Sequence, residues 1–406
     1  MANIINAAIP FLLLPFLTRI LTPEEYGIVA MFQVLLAFTL PFVGMNMEGA
    51  ISRQYFEKDK IDFPQYLTNT LYILIGGTCI VLSLFFGLGD LIERMTSFPA
   101  KWLGIIAICA LTQTISEIVL NLWLVQSKAM HYALFRITRT LLDIGLSVFF
   151  IIVLGKTWEG RIEGQTYAFV FFAVIAIGFL FKKKWLTKGF NFSYLKNALS
   201  FGVPLIPHVV GAIIITMSDR IFINKMVGLA EAGLYTVGFQ VGMVIGLLQN
   251  SFNQAWVPMF YSKLKQNNKI TNLKLVKFTY FYFALMIIAV FALSILSPLF
   301  FDVFLGKDFY AANQFVFWIA LGFGFNGMYK MVVNYFFYIQ KTYIVSIITF
   351  VTAGLNISLN YFLIKWNGAI GAAQATAISL FVQFIIIWYM SGRLYKMSWF
   401  YFLQGK

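Results

Sequence analysis

Charge is scarce in this chain. Asp, Glu, Lys and Arg make up 11% of its 406 residues, against roughly 25% in a soluble globular domain. That shortage excludes an ordinary water-facing surface. Histidine is scarcer still: His131 and His208 stand far apart, so no His-based metal site suggests itself. The two cysteines, Cys79 and Cys109, are too few for a disulfide framework. Both lie in apolar runs, so they read as small buried hydrophobes. No long polar connection on the acid-bearing side leaves room for a folded external domain. The one glycine-rich match, Gly322-Phe-Gly-Phe-Asn-Gly327, sits inside an apolar run with no strand before it. It therefore fails the context test for dinucleotide binding and reads as helix packing. No nucleotide-binding motif is present, and no cofactor is expected.

What the chain has instead is apolar length. Hydrophobic residues reach 60%, and they recur in runs of about 20 residues, enough for a helix to cross a bilayer. Lipid cannot satisfy bare backbone groups, so such runs mean helices. The expected class is all-α integral membrane with twelve transmembrane helices, at 3–21, 26–50, 67–89, 101–124, 133–155, 165–181, 200–223, 231–257, 278–300, 312–338, 342–364 and 370–392. No cleavable signal is expected, because the first run lacks a basic lead and passes straight into further spans.

The connections alternate in charge. One set holds most of the 30 lysines and arginines, including the acid-free runs Lys182, Lys183, Lys184, Lys188, Lys196 and Lys263, Lys265, Lys269, Lys274, Lys277. The positive-inside rule assigns that set to the cytoplasm, which puts both termini there. The formal charge of +14 is thereby a topology signal, and nucleic acid is not an expected partner.

The two halves resemble each other. One constant shift aligns Gln113, Glu117 and Asn121 with Asn326, Lys330 and Asn334, and LDIGLSVF at 142–149 with LNISLNYF at 355–362. A slightly different shift aligns RILTPEEYG at 19–27 with KMVGLAEAG at 225–233, so Arg19 meets Lys225. Spans 1–6 then repeat as spans 7–12 in the same orientation, giving two six-helix bundles related by a pseudo-twofold axis. The expected lobes are 1–185 and 186–406.

Charge inside a span costs about 2.5–3.5 kcal/mol per residue and normally faces protein or water. Arg19, Arg220 and Lys225 lie near the outward ends of spans 1 and 7. Head-group snorkelling and a water-filled cavity both fit Lys225. For Arg220 the cavity is favoured, since Ile221, Phe222 and Ile223 continue the apolar run, and Asp219 offers partial neutralisation. Gln113, Glu117 and Asn121 share one helical face, as do Asn326, Lys330 and Asn334. Interhelical hydrogen bonding explains such stripes; so does a role for Glu117 and Lys330 in lining or gating a cleft, with Glu117 carrying a coupling proton. Arg139 and Asp143 are spaced to pair on one face. Glu48 and Arg53 close span 2, where Arg53 is either a loop cation or a contact for an anionic ligand. Pro10, Pro15, Pro204 and Pro207 interrupt the matching spans 1 and 7.

PFLTRILTPEEYGIVAMF at 15–32, FGVPLIPHVVG at 201–211 and SDRIFINKMVGLAEAGLYTVGF at 218–239 resemble the matching parts of Wzx-type polysaccharide flippases, in the oligosaccharidyl-lipid branch of the MOP (MATE-like) exporter superfamily. The resemblance runs from span 1 to span 12. It implies a V-shaped pair of bundles in the bacterial cytoplasmic (inner) membrane and transfer of undecaprenyl-pyrophosphate-linked oligosaccharide for surface polysaccharide such as O-antigen. Arg19, Asp219, Arg220 and Lys225 fall on the family's motifs; its basic N-terminal tail has no match here. The implied partners are the lipid-linked oligosaccharide, membrane lipids, a polysaccharide polymerase, and H+ or Na+ if a gradient supplies the energy. Rival readings are a lipid II flippase, a drug/cation antiporter of the same superfamily, and a membrane glycan polymerase or ligase. The flippase readings imply that the chain is no enzyme.

Overall fold

The computed structural model describes residues 11, 13–266, 268–339, 341–395, 397 and 399, and among these it contains helices and no strand. The first part of the expected first span, Pro10 included, lies outside the described residues. The helical part that is described, 13–20 (α1), contains Pro15. There follow α2 (Pro23–Gly44), α3 (Met47–Tyr55), α4 (Phe63–Thr96), α5 (Leu103–Val125), α6 (Ala129–Ile152), α7 (Trp158–Lys182), α8 (Phe192–Gly202) and α9 (Ile206–Met226). Then come α10 (Leu229–Gly242), α11 (Val244–Lys265), α12 (Lys269–Phe304), α13 (Asn313–Tyr338), α14 (Thr342–Asn367) and α15 (Ile370–Leu394).

Local chemistry sets several starts. Thr22 caps α2 in a full capping box with Glu25, with Pro23 in the first turn. Asp62 caps α4 by accepting from the Gln65 N–H at 3.0 Å. Asn191 caps α8 and Asn268 caps α12 through their side-chain oxygens.

Ten helical stretches among the described residues are long and apolar enough to cross a membrane. The expected fifth span corresponds to α6. Its 24 residues reach about 36 Å at 1.5 Å per residue, but Arg136, Arg139 and Asp143 make it too charged to count on composition. Two expected spans are broken. The run at 26–50 divides into α2 and α3 at Met45 and Asn46, both left-handed (φ 44° and 52°). The run at 231–257 divides into α10 and α11 at Met243. Pro204 sits in a single 3-10 turn, Val203–Leu205, between α8 and α9, and Pro207 lies in the first turn of α9.

The chain folds as two compact units, Met1–Lys225 and Met226–Lys406. The helix expected to open the second lobe, α9, falls almost wholly in the first unit. In unit 1, Tyr66, Leu67, Leu74, Ile118, Trp123, Phe135 and Phe172 form the core between α4, α5, α6 and α7. In unit 2, Trp256, Phe260, Tyr282, Met286, Met331, Tyr335 and Phe384 do so between α11, α12, α13 and α15. Phe252, Trp256, Phe278 and Tyr282 stack there in series. Gly322, Gly324 and Gly327 lie within α13 against Leu380, Val290 and Met286, which is the expected packing role.

Large apolar side chains point outward along α4 and α12, with Phe86 95% exposed. In a water-soluble protein this would be a liability; in a membrane protein it is the lipid-facing wall. Cys79 belongs to that wall. It is exposed, and only Cys109 is buried as expected, because α4 turns residue 79 away from its neighbours.

Candidate functional site

The break between α2 and α3 helps build a pocket in unit 1. Two consecutive left-handed residues turn the chain, and Asn46 ties the turn by donating its Nδ2 to the Gly202 carbonyl at 3.2 Å. Position 202 must be glycine here, since a Cβ would stand 1.9 Å from the Met45 carbonyl oxygen. The redirected helix α3 brings Glu48 to a cavity of about 330 Å³, shared with Leu40, Pro41 and Gly44 on α2, Gln113 and Glu117 on α5, and Val209 on α9.

Two carboxylates therefore meet one pocket. Glu117 is balanced from behind: Arg139 Nη2 donates to Glu117 Oε1 at 3.0 Å. The arginine side chain is 9% exposed and that of Glu117 32%. Its guanidinium also lies over the Phe169 ring at 5.4 Å, while Nη1 is buried without a hydrogen-bond partner.

This corrects the expected Arg139–Asp143 pair. Asp143 instead accepts from Arg161 Nη1 at 2.5 Å, and Arg161 also donates to Ser147 Oγ at 2.9 Å. Helical spacing allowed an exposed i, i+4 pair worth a few tenths of a kcal/mol. Partners on α5 and α7 offered buried pairs instead. The result is a ladder of alternating sign across three helices: Glu117, Arg139, Asp143, Arg161. The close α6–α7 seam behind it depends on Gly164, whose Cβ would fall 2.5 Å from the Ser147 amide nitrogen.

The remaining predicted residues are dispersed. Arg19, near the end of α1, is exposed. On α9, Asp219 and Arg220 are buried, at 0% and 4% exposure; Arg220 Nη1 donates to the Thr216 carbonyl at 2.9 Å. Lys225 is exposed and reaches the Arg94 carbonyl at 3.4 Å. Arg53 is exposed on α3 with its guanidinium 5.9 Å from the Phe201 ring centre. None of these lines the Glu48–Glu117 pocket. Lys330 belongs to unit 2, where its ammonium donates to Asn250 Oδ1. Around it, Gln249 donates to Asn326 at 2.9 Å and Asn334 to Asn253 at 3.4 Å. The polar stripe of α13 thus faces a polar stripe on α11. Sequence reading missed Gln249, Asn250 and Asn253, although their spacing on one face of a helix was available as a signal. It noted Glu48 only as the end of a span, because nothing local announces a break at 45–46.

The comparisons define the class first. Over 97% of the chain, the fold matches that of an inward-facing multidrug resistance MATE family transporter of the MOP superfamily, with TM-score 0.79, 14% identity and 94% of that chain covered. It also matches the lipid II flippase MurJ in an inward closed conformation, with TM-score 0.75, 17% identity, and 96% of this chain and 86% of that one covered. The chain thus has the fold that these two proteins share. Residues 1–265 match the family model described as "Polysaccharide biosynthesis protein", and the chain belongs to that family. Among curated relatives, the Lsg locus putative protein 1 of Haemophilus influenzae is 27% identical over 83% of this chain and 82% of its own. An uncharacterized membrane protein of the same organism is 28% identical over 82% of this chain and 81% of its own.

Proposed function

We propose that this chain is a flippase that moves polyprenyl-pyrophosphate-linked oligosaccharide units from the inner to the outer leaflet of a bacterial cytoplasmic membrane. One observation carries the reading: a chain of the polysaccharide biosynthesis family has the fold found in a lipid II flippase. The physics agrees. A pyrophosphate cannot cross hydrocarbon bare, whereas an arginine offers it charge-assisted, bidentate contacts. Arg220 stands in an apolar helix, so holding it there needs a purpose.

In this account 1–185 and 186–406 are sequence repeats, with both termini cytoplasmic. Arg19, Arg220 and Lys225 grip the phosphates in turn, Arg53 receives the head group, and Lys330 lines the path in the second lobe. Arg220 is buried as described here, so alternating access must uncover it. Asp219 neutralises it in the resting state. Glu117 carries the coupling proton or cation. A polymerase consumes the delivered unit outside.

The carboxylate pair Glu48–Glu117 also suits a cation antiporter. The family membership favours assigning that pair to the coupling ion rather than the cargo. The test is single Ala replacement of Arg19 and of Arg220 in cells, scoring outer-leaflet glycan at matched protein level. Both variants are expected to lose most of it. Normal glycan in both removes the proposed role.

A further inference from the structure

A second cavity, of about 240 Å³, opens where α3 turns into α4, lined by Tyr55, Lys58, Asp59, Phe63, Pro64 and Trp185. Its wall is a cluster of mutually edge-on rings: Tyr55–Phe63 at 5.6 Å, Phe63–Trp185 at 6.1 Å and Tyr55–Trp185 at 6.3 Å. Trp185 reaches this cluster because α7 ends in a reversal. Lys184 takes a left-handed conformation (φ 55°), and the Trp185 N–H returns to the Leu180 carbonyl at 3.0 Å. The strap that follows is fastened to α4. Thr187 donates its N–H to Thr68 at 3.0 Å, Asn191 donates to Asn69 at 2.9 Å, and Asn69 donates to the Gly189 carbonyl at 3.4 Å.

Beside the ring wall the lining carries one cation and one acid, Lys58 and Asp59. The ammonium of Lys58 sits 4.7 Å over the Tyr55 ring, and among the described residues it makes no ion pair. Lys60, Lys182, Lys183, Lys184 and Lys188 are exposed nearby in sequence on the same two connections. Three acids share the first connection. Asp62 is committed to capping α4, which leaves Glu57 and Asp59. The residues that follow α3 and α7 also expose aromatics: Phe56 and Phe192 are each 72% exposed and Phe190 69%. Exposed aromatics and lysines together, at the level where α4 and α7 leave the apolar region, mark a membrane interface.

We infer that this cavity binds the head of a lipid phosphate diester bearing hydroxyl groups. The Lys58 ammonium donates to phosphate oxygens, Asp59 accepts from a hydroxyl, and the ring wall packs against the polyol C–H face. Two membrane sources share this chemistry: bulk phosphatidylglycerol and the sugar pyrophosphate of a polyprenyl lipid. The proposal does not depend on transport by the flippase route.

The experiment uses the full chain in detergent, titrated with phosphatidylglycerol or phosphatidylcholine, with bound lipid read by native mass spectrometry. The wild type is expected to retain phosphatidylglycerol about fivefold more, and Lys58→Ala to lose that preference; a factor of five corresponds to the roughly 1 kcal/mol expected per lysine at an anionic surface. Lys58→Arg keeps it, Trp185→Phe weakens it, and Lys265→Ala on the other basic connection leaves it unchanged. A polyprenyl-pyrophosphate sugar that displaces phosphatidylglycerol from the wild type identifies the substrate head as an occupant; failure to displace leaves bulk lipid as the occupant. Equal retention of both phospholipids by the wild type overturns the site, as does an equal loss in Lys58→Ala and Lys265→Ala, which would mean diffuse charge. A failed transport assay leaves these results standing.

Discussion

Replacing Glu117 by Gln removes the carboxylate that faces Arg139 while keeping an oxygen that accepts a hydrogen bond. The pair is asymmetric: the arginine side chain is 9% exposed and the glutamate 32%. Losing the glutamate charge therefore strands the more deeply buried partner, whose Nη1 already lacks an acceptor. Removing one member of a fully buried pair costs about 3–5 kcal/mol. The retained acceptor and the pocket's partial access to water reduce this, to about 2 kcal/mol. Arg139→Met leaves Glu117 beside a cavity that can hydrate it, so its cost is smaller, about 1 kcal/mol, including the loss of the contact with Phe169. The double variant should be more stable than Glu117→Gln alone, because no buried charge is left unpaired. At 2–4 °C per kcal/mol for a domain of about 200 residues, Glu117→Gln should lower the melting midpoint of the detergent-purified protein by roughly 4–8 °C. Differential scanning fluorimetry reads this directly. Additive losses in the double variant, or a larger loss in Arg139→Met than in Glu117→Gln, would refute the reasoning.

Other outcomes follow from the same contacts. Gly202→Ala forces a methyl group onto the Met45 carbonyl, and should reduce the yield of folded protein sharply, while Gly76→Ala, which meets nothing nearby, should not. Asp143→Asn should destabilise more than Glu159→Gln, since Asp143 is largely buried in an ion pair with Arg161 whereas Glu159, among the described residues, bonds the Thr157 hydroxyl and makes no ion pair; equal melting points would show that the ladder contributes nothing.

Much of the helical architecture was legible in the sequence, because apolar length is set by the bilayer and appears in one dimension. The stripes at Gln113–Asn121 and Asn326–Asn334 were legible as faces, though not as partners. What stayed hidden was decided between helices. The break at Met45–Asn46 depends on Gly202, more than 150 residues away, and so the placement of Glu48 did too. Arg139 and Asp143 looked paired because they share a helix face; contacts to Glu117 and Arg161 come from other helices and leave no mark in local spacing. Equivalent positions still speak across the chain. Asp143 and Ser147 align with Asn356 and Asn360, and each pair is joined by a hydrogen bond, part-buried in the first case and buried in the second. Of the α9 residues singled out in the sequence, Asp219 and Arg220 are buried rather than open to water, and Lys225 is exposed.

The central claim is tested most directly by reconstitution. Purified protein in liposomes is given a polyprenyl-pyrophosphate-linked oligosaccharide on one side, and arrival on the other is read with a membrane-impermeant lectin. The account predicts transfer by the wild type and at least a tenfold slower rate for Arg220→Ala that still melts cooperatively. Transfer at the same rate in both, or none in the wild type with several such glycolipids, would contradict it.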